Sequence, residues 1–590
     1  MTYDPEAFVD IGAAAAPAFS RDGQTLYHLR GSGLPQVWAL DLATGADRQL
    51  SFHDEKVALL RRSPVDDRLI YGIDFGGDER QQLLLIDPNE RSPEPHQLTA
   101  NRAAIHDFGG WSPDGSRIAY TANDRDEAHF EVYVQDIASG VRQGVYQGRN
   151  QVSVSGFRAD GTTLALRHDR GFGDVSLMLL DIATGEARSV WPPGNFQSVR
   201  WASDGRTLLA LTDLGDSNFL RLCRLDPETG EASVVYAAEG RDVDAWSVAP
   251  DGRMLATIEN DRGFAMLRAG PIDGERPVVS GLPRGVITDL AWSPDSSSLV
   301  FSAAAPTQPP SLWLWRDGAA RMAWQPEPHA GGFVDFELVS WESFDGTRIP
   351  GWLALPRSAR PEDGYPAIIW VHGGPVGQTR PNFRPDIQML LAQGFAVLLP
   401  NVRGSSGYGR TYTKSDDVER RLDSVTDLAH GRHWLAAHPA IDGERIGIMG
   451  QSYGGFMVMS AITEHPELWR AAVNYYGIAN FVTLLAGTGA WRRGHRAAEY
   501  GDPERDAALF ARISPIHRVD RITAPVLIAH GTRDPRVPIG ESEQYVTALQ
   551  ERQKRVTYLA FDYAGHGFVR PDDRRRVYRA IAEFFTTHLR

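Results

Sequence analysis

The chain has 590 residues, 42% of them hydrophobic and 23% charged, which is the balance of a soluble globular protein rather than a disordered or fibrous one. That length exceeds one ordinary core and predicts two or three domains. Its 75 acidic and 61 basic residues give a net charge of −14 with no basic block. Such a balance argues against nucleic acid as a partner, because phosphate contacts need clustered Lys and Arg.

The one cysteine, Cys223, excludes an internal disulfide and a cysteine-based metal site. At the amino terminus, "MTYDPEAFVD" is acidic and no long apolar run follows it, so it does not read as a secretory signal. The small-residue stretch "IGAAAAPAF" is too short to span a bilayer. The expected location is cytoplasmic, with no membrane partner.

The first half repeats. A turn signature recurs as "SRDG", "SPVDD", "SPDG", "RADG", "ASDG", "APDG" and "SPDS", with aspartates at 22, 66, 114, 160, 204, 251 and 295, spaced 44 to 48 residues apart. Most are followed by an alternating apolar strand such as "RIAYTAN" or "TLLALTD", then by a second strand ending in an Asp-containing turn, as in "SLMLLDIATGE". These turns suit hairpins between period-2 strands, and a unit of this length with about four strands is a propeller blade. Seven units predict a seven-bladed β-propeller over roughly residues 12–325, with blade one the least regular and residues 1–11 a short extension.

The Pro- and Gly-rich stretch "WQPEPHAGG" (324–332) marks the domain boundary, so the expected division is 1–330 and 331–590. Beyond it, a hairpin lead-in with a turn at Asp345-Gly346 precedes apolar runs at 367–374, 395–404, 445–451, 471–477, 525–531 and 556–562. Helix-like segments lie between them, including "SDDVERRLDSVTDLAHGRHWLAAHP" and, last, "DDRRRVYRAIAEFFTTHL". Alternating strands and helices predict an α/β domain with a mostly parallel sheet and its site at the carboxyl ends of the strands.

Those strand ends carry the chemistry. "GQSYG" fits the Gly-x-Ser-x-Gly elbow and sits between a strand and a helix, which makes Ser452 the candidate nucleophile. The backbone N–H of Tyr453, in the first turn of the following helix, can face an oxyanion. A serine hydroxyl needs a base, and the base needs an orienting acid. In chain order Ser, Asp, His, these are Asp534 in "HGTRDPRVP" and His566 in "AGHGF". His530, His465, His517 and His588 are weaker competitors, and Asp562 is the second candidate acid. In "VHGGP", Gly374 and then Gly373 are candidates for the second oxyanion donor. "RGSSGYG" (403–409) is Gly- and Ser-rich but misses the elbow pattern and reads as a loop near the site.

Taken together, "GQSYGGF", "HGGP", "HGTRDPRVP" and "GHGF", preceded by a seven-unit propeller, resemble the prolyl oligopeptidase family of serine peptidases, most of all its acylaminoacyl-peptidase-like branch. The resemblance implies an α/β-hydrolase domain, a site at the interface of the two domains, a propeller that admits short peptides and excludes folded proteins, and no cofactor or metal. It implies Ser452 as nucleophile, His566 as general base and acid, Asp534 as orienting carboxylate and Arg536 as a substrate-carbonyl ligand. No Glu-Glu pair occurs anywhere in the chain, which disfavours the amine-gripping specificity of the family's dipeptidyl aminopeptidases.

Arg492, Arg493 and Arg496 of "WRRGHRAAEYGDP", with Arg533 and Arg536, offer an alternative: a grip on a substrate's terminal carboxylate, hence a carboxypeptidase. An esterase is a second alternative, which the propeller disfavours, and a binding module with a decayed hydrolase is a third, which the complete triad disfavours. Expected partners are short peptides, with homo-oligomer formation a further expectation.

Overall fold

The computed structural model describes residues 4–171, 173–215, 217–328, 332–502 and 504–590. The repeat folds as seven small antiparallel sheets in chain order, six of four strands and one of three, the blades of a propeller. Blade one runs from Ala13–Phe19 to Asp47–Gln49 and blade seven from Val286–Trp292 to Ala319–Trp324. Each blade is built from contiguous chain, so the ring closes by packing rather than by a shared sheet. Phe19, Leu26 and Leu40 of blade one share a buried cluster with Val300 and Leu314 of blade seven. Blade six has three strands, and its outer edge is covered by the segment around Val279, whose N–H donates to Leu267 O (2.8 Å).

The recurring turn has a physical cause. Ser112 Oγ donates to Asp114 Oδ1 (2.6 Å), which also accepts from the Ser116 N–H (3.1 Å), while Ser112 Oγ accepts from the Arg117 N–H (2.9 Å). Gly115 completes the turn at φ +66°, a conformation that favours glycine. The turns also clip blade to blade: Arg68 Nη2 donates to Gly115 O and Arg117 Nη2 to Gly161 O, both at 3.0 Å.

The second domain is built on one eight-stranded sheet: β1 (Glu337–Glu342), β2 (Arg348–Ala354), β3 (Tyr365–Val371), β4 (Ala396–Pro400), β5 (Ile441–Gln451), β6 (Ala472–Tyr475), β7 (Val526–Gly531) and β8 (Val556–Phe561). The spatial order is β1-β2-β4-β3-β5-β6-β7-β8, with β1, β2 and β4 paired antiparallel and all later pairs parallel. Its longer helices are α1 (Pro385–Ala392), α2 (Asp423–Ala436), α3 (Tyr453–Glu464), α4 (Ala490–Tyr500), α5 (Gly540–Glu551) and α6 (Pro571–Leu589).

Both faces of the sheet are buried, which explains why the central strands are continuous apolar runs instead of alternating ones. Along β3, Ile369 and Val371 face a core shared with α2 and α3, whereas Ile368 and Trp370 face one shared with α1 and α6. The N-terminal extension makes a single turn, Pro5–Phe8, and its Phe8 and Val9 join this second core.

The helix expected from Ser415 begins only at Asp423, after a short turn at Val418–Arg420, because Asp416 and Arg421 turn inward and are buried as an ion pair. The expected boundary at 330/331 falls outside the described residues, as do residues 1–3 of the extension. No described helix is long and apolar enough to cross a membrane.

Candidate active site

Ser452 stands between the end of β5 and the start of α3 with φ 58° and ψ −121°, a strained conformation for a residue with a side chain. The elbow is possible only because its neighbours lack side chains. A Cβ on Gly454 would lie 2.3 Å from Val371 O, and one on Gly455 would lie 2.3 Å from Asn474 Oδ1. The Ser452 N–H donates to Tyr475 O (2.9 Å), which fixes the turn against β6.

The structure brings Ser452, His566 and Asp534 into one hydrogen-bonded line. His566 Nε2 is 2.9 Å from Ser452 Oγ, and His566 Nδ1 is 2.6 Å from Asp534 Oδ2. With Nδ1 protonated toward the carboxylate, Nε2 accepts the serine proton. Asp534 lies just beyond β7 with its side chain fully buried. Its Oδ1 accepts the N–H groups of Arg536 (2.8 Å) and Val537 (3.0 Å). Burial alone would raise its pKa, but hydrogen bonds from His530 and His566 outweigh it and hold the carboxyl well below the usual range. Burial pushes the His566 imidazole below its ordinary value, against the opposing pull of Asp534. Asp562, the second candidate acid, is exposed and offers only its carbonyl, to Thr532 Oγ1 (2.8 Å).

Gly373 packs directly on the nucleophile: a Cβ there would lie 3.3 Å from Ser452 Cβ. Neither Gly373, Gly374 nor Tyr453 spends its N–H on a backbone carbonyl among the described residues, so three donors remain near Ser452. His372 steadies this loop, its Nε2 3.0 Å from Ser405 Oγ of the "RGSSGYG" segment, which is indeed a loop beside the site.

Sequence reasoning underrated His530. Its Nε2 is 3.3 Å from Asp534 Oδ2 and 2.9 Å from Val537 O, and its Nδ1 is 2.7 Å from Ser542 Oγ, so it braces the acid from behind. The four-residue spacing to Asp534 was the available signal. Tyr476 was missed altogether: its ring lies 4.6 Å from that of His566 and its hydroxyl 3.2 Å from Gln451 Oε1.

The five arginines do not form one open cluster. Arg492 and Arg536 both bind Glu79 of blade two, Arg492 at 2.6 Å. Arg533 stacks on Tyr563 (4.0 Å), Arg493 donates to Ala486 O (2.9 Å), and Arg496 lies over the Tyr500 ring (5.9 Å). Glu79 has no motif of its own in the sequence and could not have been picked out there.

The site lies at the domain interface. The His566 loop rests on blade two so closely that a Cβ on Gly565 would meet Gly77 O at 1.9 Å. A cavity of about 900 Å³ opens between the domains, bounded by Asp213, Asp242, Asp244 and Asp289 of the propeller and by Val376, Gln378, Arg380 and Ser406 of the second domain. Val376, on its wall, follows the Gly373-Gly374-Pro375 turn in the chain.

A strand-to-helix serine elbow, a histidine and an aspartate in that chain order, on this strand order and under a seven-bladed propeller, define a serine-hydrolase site of the α/β-hydrolase class. The family model of the prolyl oligopeptidase family matches residues 381–590. Among curated proteins, dipeptidyl aminopeptidase BIII of Pseudoxanthomonas mexicana is 33% identical over 258 residues, 42% of this chain and 37% of that protein. The acylamino-acid-releasing enzyme of Arabidopsis thaliana is 26% identical over 337 residues, 51% of this chain and 44% of that protein. The matched stretch thus spans about half or less of these relatives. Among solved structures, a puromycin hydrolase superposes with a TM-score of 0.87 at 19% identity, covering 99% of this chain and 96% of that one, a likeness of fold.

Proposed function

We propose that this protein is a serine peptidase that cleaves short peptides through an acyl-enzyme intermediate, resembling acylaminoacyl peptidases. The observation that carries the reading is the continuous Ser452–His566–Asp534 hydrogen-bond line, with the His566 loop packed on the propeller. Ser452 Oγ attacks the scissile carbonyl carbon while His566 Nε2 takes its proton. Asp534 stabilises the imidazolium, and the N–H groups of Tyr453 and Gly374 or Gly373 receive the oxyanion. Collapse of the tetrahedral intermediate breaks the C–N bond, and His566 returns the proton to the leaving amine. Water then repeats the sequence on the acyl-enzyme and frees the second product.

A chamber of about 900 Å³ suits a few residues of extended peptide and excludes a folded domain, which supports size selection by the propeller. The carboxypeptidase alternative is less favoured, because Arg492 and Arg536 are both already engaged by the Glu79 carboxylate. Exopeptidase action belongs to the same proposal, as does a cytoplasmic setting. Short peptides are the proposed partners, without nucleic acid or membrane, and with self-assembly of the chain.

A panel of matched peptides, acylated or free at the amino end and free or amidated at the carboxyl end, tests the reading. Cleavage that requires an acylated amino end supports it. Loss of cleavage on amidation would establish the carboxypeptidase instead.

A further inference from the structure

Beneath the nucleophile elbow lies a buried ionic cluster that the triad does not use. Tyr453 sends its side chain into the domain interior, where its hydroxyl lies 3.0 Å from Asp416 Oδ2, 3.1 Å from Arg421 Nη1 and 3.3 Å from Ser424 Oγ. Arg421 is completely buried. Its Nη1 donates to Asp416 Oδ2 (2.6 Å), and its Nη2 donates to the Oε1 (2.7 Å) and the carbonyl (3.0 Å) of Glu499. The guanidinium also lies 5.4 Å from the Tyr453 ring and 5.3 Å from that of Tyr500.

Glu499 lies in the last turn of α4, and Trp491, Arg492 and Ala498 dock that helix on the propeller. Trp491 is buried among Phe130 and Val152 of blades three and four. Arg492 binds Glu79, and Ala498 packs so tightly on Gly171 that a Cβ there would come within 2.7 Å of it. One helix therefore touches the propeller along one side and the anchor of the elbow tyrosine at its end.

Two carboxylates around one guanidinium in a dry interior are a poor source of stability, since apolar side chains of similar volume serve as well or better. What directional charged hydrogen bonds do supply is a fixed position. Here the position fixed is that of Tyr453, whose backbone N–H follows the strained Ser452 and faces the developing oxyanion. Donors of this kind act only when aligned on the transition state, not on the bound substrate.

We propose that Arg421 is a positioning residue. Through Asp416 and the Tyr453 hydroxyl it holds the Tyr453 N–H in line, and through Glu499 it makes that alignment depend on the docking of α4 against the propeller. The proposal rests on the serine-peptidase reading above.

The test uses the full-length protein, an acylated peptide substrate and a peptide boronate that mimics the tetrahedral intermediate. Tyr453→Phe keeps the ring and removes only the hydroxyl, and Glu499→Gln keeps the shape and removes the charge. Both are expected to lower kcat about 10- to 100-fold, somewhat below the loss of a whole oxyanion donor, with KM nearly unchanged. Boronate affinity should fall by the same factor as kcat/KM, and the thermal unfolding midpoint of Tyr453→Phe should stay at the wild-type value. Trp491→Ala, which loosens α4 from the propeller, should give the same kcat-selective loss.

Wild-type kcat and boronate affinity in folded Tyr453→Phe and Glu499→Gln would overturn the positioning role. Wild-type kcat in Trp491→Ala would overturn the link to the propeller. If a fluorophosphonate fails to label even the wild type, it is the serine-peptidase reading that falls. If the wild type and the variants are labelled at equal rates, only the present proposal falls.

Discussion

Glu79 of propeller blade two and Arg536 of the hydrolase domain form an ion pair across the domain interface, two residues beyond Asp534. Glu79 also holds Arg492, so its one carboxylate is shared by two guanidiniums and both are engaged before any substrate arrives. Glu79→Gln should release them toward a substrate carboxylate. The ratio of kcat/KM for free over amidated carboxyl ends should then rise roughly fivefold, the worth of one partly exposed ion pair. An unchanged ratio in the variant would mean that these arginines do not reach the substrate's end.

Ser452→Ala should remove peptide and activated-ester hydrolysis by about a million-fold, the scale seen when a triad serine is lost, while the fold and its unfolding midpoint persist. Fluorophosphonate labelling followed by peptide mapping should find Ser452 and no other residue. Full activity in the alanine variant would remove the nucleophile assignment.

The pH dependence follows from His566. The base must be neutral to take the serine proton, and burial lowers the imidazole pKa below 6.5 in spite of Asp534. Activity is therefore lost as pH falls through that lowered value, and the acid limb of kcat/KM should lie below the ordinary histidine titration. His530→Gln removes one hydrogen-bonding group from Asp534 and should change the position of that limb. A limb at or above 6.5 in the wild type would contradict the buried environment of His566.

Gly454→Ala and Gly565→Ala should fail for different reasons. The first drives a methyl group into Val371 O inside the hydrolase domain and should destabilise that domain. The second drives one into Gly77 O of the propeller and should loosen the His566 loop from blade two while leaving each domain folded. Calorimetry with activity measurements separates the two outcomes: a lowered unfolding midpoint for Gly454→Ala, and lost activity with an unchanged midpoint for Gly565→Ala.

Much of this was legible in the residues alone. The propeller could be read because one turn chemistry, an aspartate whose Oδ1 accepts the N–H two residues on, recurs at nearly constant spacing. Ser452, Asp534 and His566 could be read because each sits at a strand's carboxyl end in a short glycine-marked motif. These are local requirements, and a local requirement leaves a local signature.

What only the tertiary structure decided are the relations between distant segments. Glu79 lies 457 residues from Arg536, and nothing in "GGDERQQ" announces that it caps the arginines beside the triad. Arg421 reads as one charge on a helix-like surface run until the fold buries it against Glu499, 78 residues away. Even the role of Tyr453 was only half visible. The motif implies its backbone N–H, but the anchor for its hydroxyl comes from segments that meet only when the sheet is complete and the propeller has seated α4. Charge pairing across such separations depends on where the chain returns, and that is set by packing as a whole rather than by any stretch of sequence.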